Sequence, residues 1–213
     1  MKLYTFPASY SGRKVLAVVD HLALDVSIER LDGQAGDHRK PAYLALNPNG
    51  LAPTLVDGSF VLWESNAIMQ YLTDKAGSDA LFPRDPRKRA DIVRWQCWEL
   101  AHFNKAFGAI AFETVAKPAL GFGPTDEALV ARAQRDLSRF APVLESHLAA
   151  RRHMVGEAVT IADYSVAALE GYRNAIAFDW SPFPNIGAYF NRMHERWPLP
   201  TQSAELRQDI KAA

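Results

Sequence analysis

The sequence of 213 residues has very little cysteine. Its one cysteine, Cys97, has no second thiol with which to form an internal disulfide, and no Cys-x-x-Cys motif is present. The chain therefore cannot perform dithiol redox chemistry with its own sulfur atoms. We expect that any thiol chemistry of this protein uses a sulfur supplied by a ligand.

The sequence also lacks an excess of charge of either sign and any long apolar run. Its 24 Lys and Arg residues balance its 24 Asp and Glu residues, which argues against a nucleic-acid partner. No apolar run approaches the roughly 20 residues that span a bilayer, and the first residues are strand-like rather than the apolar core of a signal peptide. We expect a cytoplasmic protein that binds small molecules or other subunits and makes no membrane contact.

The hydrophobic content of 48% is ample for a buried core, and the first 76 residues mix strand and helix signals. Residues 2–6 are β-prone, residues 12–24 carry apolar side chains at helical spacing, and residues 26–31 alternate. This order predicts a βαβ unit. A hairpin follows, because an Asp57-Gly58 turn separates two short β-prone runs. Ser65 is then expected to cap a further helix.

The composition changes over residues 77–86, which are rich in Gly, Ser, Asp and Pro and predict a linker. Beyond it, in residues 87–213, strand signals disappear. Residues 89–115 predict a long amphipathic helix, and another is expected after a Thr125 cap, with an apolar stripe formed by Leu129, Ala133, Leu137, Leu144 and Leu148. The predicted fold class is an α/β domain followed by an all-α domain.

The most informative segment is Asn47–Leu55, in which Pro53 comes directly before a hairpin strand and has no N–H to pair. A cis Ala52-Pro53 bond would turn the backbone N–H and C=O of Ala52 outward, as partners for an extended peptide ligand. An ordinary turn proline is the alternative. Further along, Glu64 and Ser65 lie at a helix N-terminus that would favour a carboxylate, although Ser65 as a cap alone is the simpler explanation.

Hydroxyl groups also follow the first strand. Ser9 and Ser11 lie in the turn into the first helix, where a serine hydroxyl donating to a bound thiol would lower the thiol pKa. Simple N-capping is the alternative, and we favour it for Ser11. The cationic run His38-Arg39-Lys40 is either a contact for a ligand carboxylate or a solvated surface run. The six histidines show no metal-ligand spacing, so no metal site is expected.

Together these motifs resemble those of the glutathione S-transferase family, over nearly the whole chain. The helical half adds a fourth motif, Gly156–Asp163, which is similar to the family's buried capping box with Thr160 and Asp163 as partners. The resemblance implies a thioredoxin-like first domain, an all-helical second domain, a homodimer, and a detoxifying transferase that uses glutathione as co-substrate. Isomerase, dehalogenase, ether-cleaving and peroxidase activities, and a non-catalytic binding module, stay open as alternatives.

The resemblance also implies residue roles. Ser9 matches the activating serine of theta-like and related bacterial members, with Ser11 second. The expected contacts of glutathione are His38 and Arg39 for the glycine carboxylate, Ala52 with Pro53 for the cysteinyl backbone, and Glu64 and Ser65 for the γ-glutamyl end. Ala52 replaces a residue that is often a bulkier aliphatic one, which leaves backbone pairing intact.

Tyr10 complicates this alignment, because in an alternative alignment it falls where beta-like members carry a cysteine. That class would lack its characteristic thiol here, so we prefer the serine interpretation. The second substrate is expected between the domains, in an aromatic pocket that would suit apolar electrophiles. The predicted lining residues are Tyr10, Trp98, His102 and Phe103.

Overall fold

A computed structural model of the chain describes residues 1–6 and 9–197. The first domain is built on a four-stranded sheet with the order β2-β1-β3-β4. Its strands are β1 (Lys2–Thr5), β2 (Ser27–Arg30), β3 (Thr54–Asp57) and β4 (Phe60–Trp63). β2 runs parallel to β1, while β3 is antiparallel to both β1 and β4. This confirms the predicted βαβ unit and hairpin.

The described part of the first domain also contains three α-helices, α1 (Tyr10–His21), the short α2 (Pro41–Leu44) and α3 (Ser65–Lys75), and a 3-10 helix at Asp37–Arg39. α1 and α3 pack against each other beside the sheet, because each has a stripe of buried apolar residues. The core they share with the sheet consists of Leu3, Val15, Val18, Leu55, Ile68, Met69 and Leu72, all 0% or 1% exposed. The hairpin turn depends on Gly58, whose φ of +61° suits glycine.

The second domain is helical throughout its described part, as predicted. Its helices are α4 (Pro86–Trp98), α5 (Asn104–Ala111), α6 (Lys117–Leu120), α7 (Glu127–Leu148), α8 (Ile161–Val166) and α9 (Pro184–Arg196). Two π-helical segments, Glu99–Phe103 and Phe112–Ala116, join α4, α5 and α6 into one long rod. Each π segment changes which side chains share a face of the rod, because its backbone bonds run from residue i to residue i+5.

Several helix caps differ from the prediction. Ser9, rather than Ser11, caps α1, and Asp126, rather than Thr125, caps α7 by accepting from the N–H of Leu129 at 3.0 Å. Thr125 instead donates to the carbonyl of Glu113. Leu129 was expected in the buried stripe of α7, but it lies in the first turn and is 40% exposed.

The capping box of α8 is confirmed. Asp163 is fully buried and accepts from the backbone N–H of Thr160 at 2.8 Å and from that of Met154 at 2.9 Å. The connection between the two domains is also packed, since Leu81 and Phe82 are buried and the carbonyl of Leu81 accepts from Ile161 at 3.0 Å. The two domains therefore share one apolar core.

Candidate functional site

Strand register brings three distant segments to one end of the sheet. Tyr4 at the end of β1 pairs with Thr54, the first residue of β3, and Thr54 in turn pairs with Trp63, the last residue of β4. The segments that follow β1, precede β3 and follow β4 therefore meet at this end of the sheet, which we call the site end. Ser9, the Ala52-Pro53 bond and the Glu64-Ser65 pair belong to these three segments.

Gly12 allows α1 to approach β1 closely at the site end. A Cβ atom at position 12 would lie 1.8 Å from Oγ1 of Thr5, a separation that two unbonded atoms cannot adopt. Thr5 itself is 2% exposed and cannot move aside freely. Glycine at position 12 therefore lets the first turn of α1, and with it Ser9, lie directly over the end of β1.

Ser9 is the N-cap of α1 and keeps its own hydrogen available. Its Oγ accepts a hydrogen bond from the N–H of Gly12 at 3.1 Å. An accepting hydroxyl can still donate its O–H, and the bond that it accepts makes it a better donor. Ser11 lies one residue inside the helix, in its first turn. Of the two candidate hydroxyls, Ser9 is the one held at the very end of the helix.

The Ala52-Pro53 peptide bond is cis, which is one of the two alternatives that the sequence left open. Two side chains stabilise the loop that carries this bond: Tyr43 and Asn47 both donate to the carbonyl of Leu51, at 2.6 and 2.7 Å. Burial raises the pKa of the Tyr43 hydroxyl, which therefore stays a donor. Within residues 1–6 and 9–197, the backbone N–H and C=O of Ala52 bond to no other group. Both can pair with a ligand.

Ser65 is the first residue of α3 and not its N-cap, contrary to the prediction. Glu64 occupies the cap position with a φ of +73° and provides no side-chain cap. Such a conformation is uncommon for a residue other than glycine and is often found at functional sites. The first helical bond runs from the N–H of Ile68 to the carbonyl of Glu64, so the three preceding N–H groups project from the helix end as donors for an anion.

A cleft of about 390 Å³ lies beside these segments. Its wall includes His38, whose Nε2 accepts from Nε of Arg39 at 3.1 Å. A neutral His38 then carries its proton on Nδ1, and this buried atom has no partner within the described part of the chain. Lys40 is instead paired with Asp37 at 2.6 Å. The cleft is lined by Phe6, His38, Arg39, Leu44, Asn49, Gly50 and Leu51.

The structure does not gather the four residues of the expected electrophile pocket. Phe103 is 0% exposed, which removes it from any accessible lining, and Trp98 stacks on it with ring centroids 5.5 Å apart. His102 stacks on Phe140 at 4.7 Å and lines a groove of about 400 Å³ between α5 and α7. Of the four, only Tyr10, the first residue of α1, lies at the site end.

Tyr10 faces the helical domain across a narrow space. A Cβ atom at Gly108 would lie 3.8 Å from the Tyr10 hydroxyl oxygen and 3.6 Å from Leu169. Burial raises the pKa of Tyr10, the charge of Glu99 raises it further, and a side-chain hydrogen bond with Ser11 lowers it. The Tyr10 hydroxyl thus stays protonated and can donate a hydrogen bond between the two domains.

A buried ion pair that no sequence motif indicates lies behind the site. Lys14 of α1 and Glu99 of the first π segment lie 2.7 Å apart, and both side chains are 0% exposed. The only available signal is the position of Lys14, directly before the apolar Val15 in a helix whose neighbouring residues are buried.

Across residues 1–6 and 9–197, no three His, Cys, Asp or Glu side chains are grouped so as to hold a metal ion. In that same part of the chain, no helix combines the length and apolar character needed to cross a membrane.

Comparison with known proteins gives consistent matches. Residues 1–74 match the family model described as "Glutathione S-transferase, N-terminal domain", and residues 103–196 match "Glutathione S-transferase, C-terminal domain". Over 177 residues the chain is 35% identical to glutathione S-transferase 3 of Zea mays, covering 82% of this chain and 79% of that relative.

Solved structures agree over almost the full chain. A delta-class glutathione transferase of Nilaparvata lugens superposes with a TM-score of 0.82 at 29% identity, covering 99% of this chain and 98% of the other. A theta-class glutathione S-transferase of Xanthomonas axonopodis pv. citri, solved with glutathione bound, gives a TM-score of 0.83 at 28% identity, covering 92% and 93%. The similarity thus extends across both domains.

Proposed function

Because the chain belongs to the glutathione S-transferase family, we propose that it binds glutathione at the site end and ionises its sulfur for attack on apolar electrophiles. Glutathione transferase activity in general follows from the family. The observation that carries the finer proposal is the register that brings Ser9, Ala52 and Ser65 together. The theta-class relative with bound glutathione supports the choice of ligand.

Glutathione is an extended peptide with a carboxylate at each end, and the site end offers a partner for each part. The free N–H and C=O of Ala52 pair with the cysteinyl backbone, as in strand addition. The N–H groups at the start of α3 receive the γ-glutamyl carboxylate, and Glu64 receives the amine. His38 and Arg39, in the cleft at the other end, meet the glycine carboxylate.

Ser9 activates the sulfur by stabilising its charged form. A free thiol has a pKa of about 8.5 and is mostly protonated near neutral pH. The Ser9 hydroxyl donates to the thiolate and lowers this pKa, while the proton leaves to solvent. The thiolate then attacks the electrophilic carbon, a carbon–sulfur bond forms, and either the leaving group departs with its electron pair or the electrons move into a conjugated acceptor. No covalent bond to the enzyme forms.

The electrophile approaches between the domains, past Tyr10. Gly108 leaves space opposite the Tyr10 hydroxyl, and Phe112, one turn further along the rod, is 44% exposed. The Tyr10 hydroxyl gives this surface a donor, which suits an apolar electrophile whose leaving group or carbonyl accepts a hydrogen bond from Tyr10. His102 and Trp98 contribute only if the substrate extends beyond α5.

We also propose a homodimer, with the first domain of one subunit against the helical domain of the other. Large apolar side chains are exposed on the first domain, with Leu51 63%, Phe60 47% and Trp63 39% accessible. Exposed apolar groups at this density are typical of interaction surfaces. The proposed location is the cytoplasm, where thiols remain reduced. Sedimentation measurements test the dimer, since a monomer at micromolar concentration contradicts it.

Calorimetric titration with glutathione tests the proposed function. We expect saturable binding by the wild type and by Ser9→Ala, and conjugation of a panel of electrophiles by the wild type alone at full rate. No binding at millimolar glutathione would favour a non-catalytic module. Binding with turnover only of peroxides, ethers or isomerisable substrates would assign one of the alternative reactions.

A further inference from the structure

The buried ion pair joins the two domains directly behind the site end. Nζ of Lys14, in α1, lies 2.7 Å from Oε1 of Glu99, in the rod of the helical domain, and water reaches neither side chain. A pair of this kind is costly to desolvate, and apolar residues of similar volume are often equally stable. Stability alone is therefore a weak explanation for it.

Glu99 binds more than the lysine. Its Oε1 also accepts from Nδ2 of Asn66 at 3.1 Å, and its Oε2 accepts from Nδ2 of Asn104 at 2.7 Å. In an α-helix, positions 99 and 104 would point about 140° apart. The π segment instead bonds the N–H of Asn104 to the carbonyl of Glu99, which brings the two side chains onto one side.

Asn66 is the anchor of α3. Its Nδ2 also donates to the carbonyl of Gln96 at 3.2 Å, and its Oδ1 accepts from Oγ of Ser165 at 3.0 Å. All three partners of its amide belong to the helical domain. Asn66 directly follows Ser65, so the helical domain fixes the orientation of the first turn of α3.

Lys14 lies in α1, five residues after Ser9. Glu99 therefore holds two helices at once, one whose end carries Ser9 and one whose end carries Ser65. We propose that Lys14, Asn66 and Glu99 are positioning residues that set the distance between these two helix ends. This inference rests on the proposed function, in which the sulfur lies at Ser9 and the γ-glutamyl carboxylate at Ser65.

That distance matters because one glutathione molecule spans both helix ends. A ligand held at Ser65 presents its sulfur to Ser9 only if the two ends are correctly separated. A misplacement of about 1 Å can reduce a rate by about 100-fold. The side chains of the positioning residues touch neither glutathione nor the electrophile, and they act only through the placement of the two helix ends.

A double-mutant cycle with Ser9 tests this inference. The double substitution Lys14→Met with Glu99→Met removes both charges and leaves no unpaired ion. Asn66→Ala releases α3 alone and keeps the ion pair, so it decides the outcome if the first variant does not fold. The matched control is Arg89→Gln, because Arg89 joins α4 to Asp74 at 2.8 Å, at the far end of α3.

Each variant is made with Ser9 and with Ser9→Ala, and three quantities are measured: the glutathione Kd, the pKa of the bound thiol from thiolate absorbance, and kcat. We expect both network variants to raise the thiol pKa and to lower kcat by about tenfold, with Kd changed less than threefold. In either network background, Ser9→Ala should add only about a tenfold further loss instead of its full loss of about 100-fold, so that the combined variant matches Ser9→Ala alone. Arg89→Gln should match the wild type.

Two results would overturn the inference. The first is a combined variant whose loss of kcat is the product of the losses caused by Ser9→Ala and by the network substitution. The second is a bound-thiol pKa that is unchanged in Asn66→Ala. The first would mean that the network supports the fold without placing Ser9. Failure of the proposed function gives a different result from failure of this inference alone. In that case the wild type itself binds no glutathione, or Ser9→Ala leaves the pKa of the bound thiol unchanged. The inference is then contradicted as well, because it rests on the proposed function.

Discussion

Gly12 and Thr5 are in such close contact that the first helix can follow the first strand only with glycine at position 12. The ideal Cβ of an alanine there would lie 1.8 Å from Oγ1 of Thr5. The turn between them carries Ser9. The fit between a strand end and a helix start thus determines where the proposed activating hydroxyl lies.

Gly12→Ala should therefore reduce both stability and activity. We expect the start of α1 to move outward, with a loss of about 1–3 kcal/mol in the free energy of unfolding, as overpacked cores show. Denaturant titration and conjugation assays measure the two effects. Gly187→Ala is the matched control, because Gly187 also lies in a helix and its Cβ would meet only a side-chain end of Arg173 at 4.0 Å. Equal stability of the two variants would contradict the account.

Ser9→Ala should raise the pKa of bound glutathione and move the acidic limb of the pH–rate profile to higher pH. We expect kcat to fall about 100-fold, as when one donor to a developing anion is removed. Loss of the cap also costs about 1 kcal/mol of stability. Ser9→Gly separates the two roles, because glycine at an N-cap costs only about a few tenths of a kcal/mol and has no side-chain hydrogen to donate. Full activity in Ser9→Gly would contradict the assignment, and Ser11→Ala should have a smaller effect.

Arg39→Ala and His38→Ala should weaken glutathione binding and leave the chemical step nearly unchanged. These residues line the cleft that we assign to the glycine end of glutathione, and neither of them belongs to the segment that carries Ser9. The expected change is a rise in KM for glutathione of about tenfold with kcat within twofold, the pattern of lost uniform binding. Lys40→Ala is the control, since Lys40 is engaged by Asp37. A rise in KM of the same size in Lys40→Ala would contradict the assignment, because it would mean that positive charge near the cleft attracts glutathione without a specific contact.

Tyr43→Phe should destabilise the loop of the cis peptide bond and change how stability depends on alkaline pH. Burial raises the pKa of Tyr43 in the folded chain, so its contribution is fully present below the pKa of an exposed tyrosine, about 10, and is lost as pH rises above that value. The variant loses about 1–2 kcal/mol at neutral pH from its bonds to Leu51 and Thr54. Between pH 7 and 11, the free energy of unfolding of the variant should fall less steeply with pH than that of the wild type, as measured by denaturant unfolding.

Much of the fold follows from local signals in the sequence. The order of strands and helices, the hairpin at Gly58 and the capping box at Thr160 and Asp163 were each predicted and confirmed. The cis bond before Pro53 was one of two alternatives that the sequence left open. These features depend on residues close together in sequence. Helix caps were less predictable. Glu64 occupies the cap position of α3 with a positive φ, and a glutamate residue gives no indication of such a backbone conformation.

The electrophile side was less predictable for a geometric reason. The periodicity of residues 89–115 predicts an amphipathic helix, but it does not say which of its aromatic side chains face a cleft. Phe103 lies with Phe107 and Ile110 on the fully buried side, each 0% exposed. Pairing between Lys14 and Glu99 was also beyond the sequence, because it depends on tertiary contacts between residues 85 positions apart.

The packed connection between the domains has a consequence for how the chain melts. Leu81 and Phe82 are 0% and 3% exposed, and the carbonyl of Leu81 is tied to the start of α8. Because this connection is packed into both domains, the two domains do not fold as independent units. Heat or denaturant should unfold them in one cooperative transition, and a fragment ending at Ala76 would present to water the apolar surface that the helical half now covers.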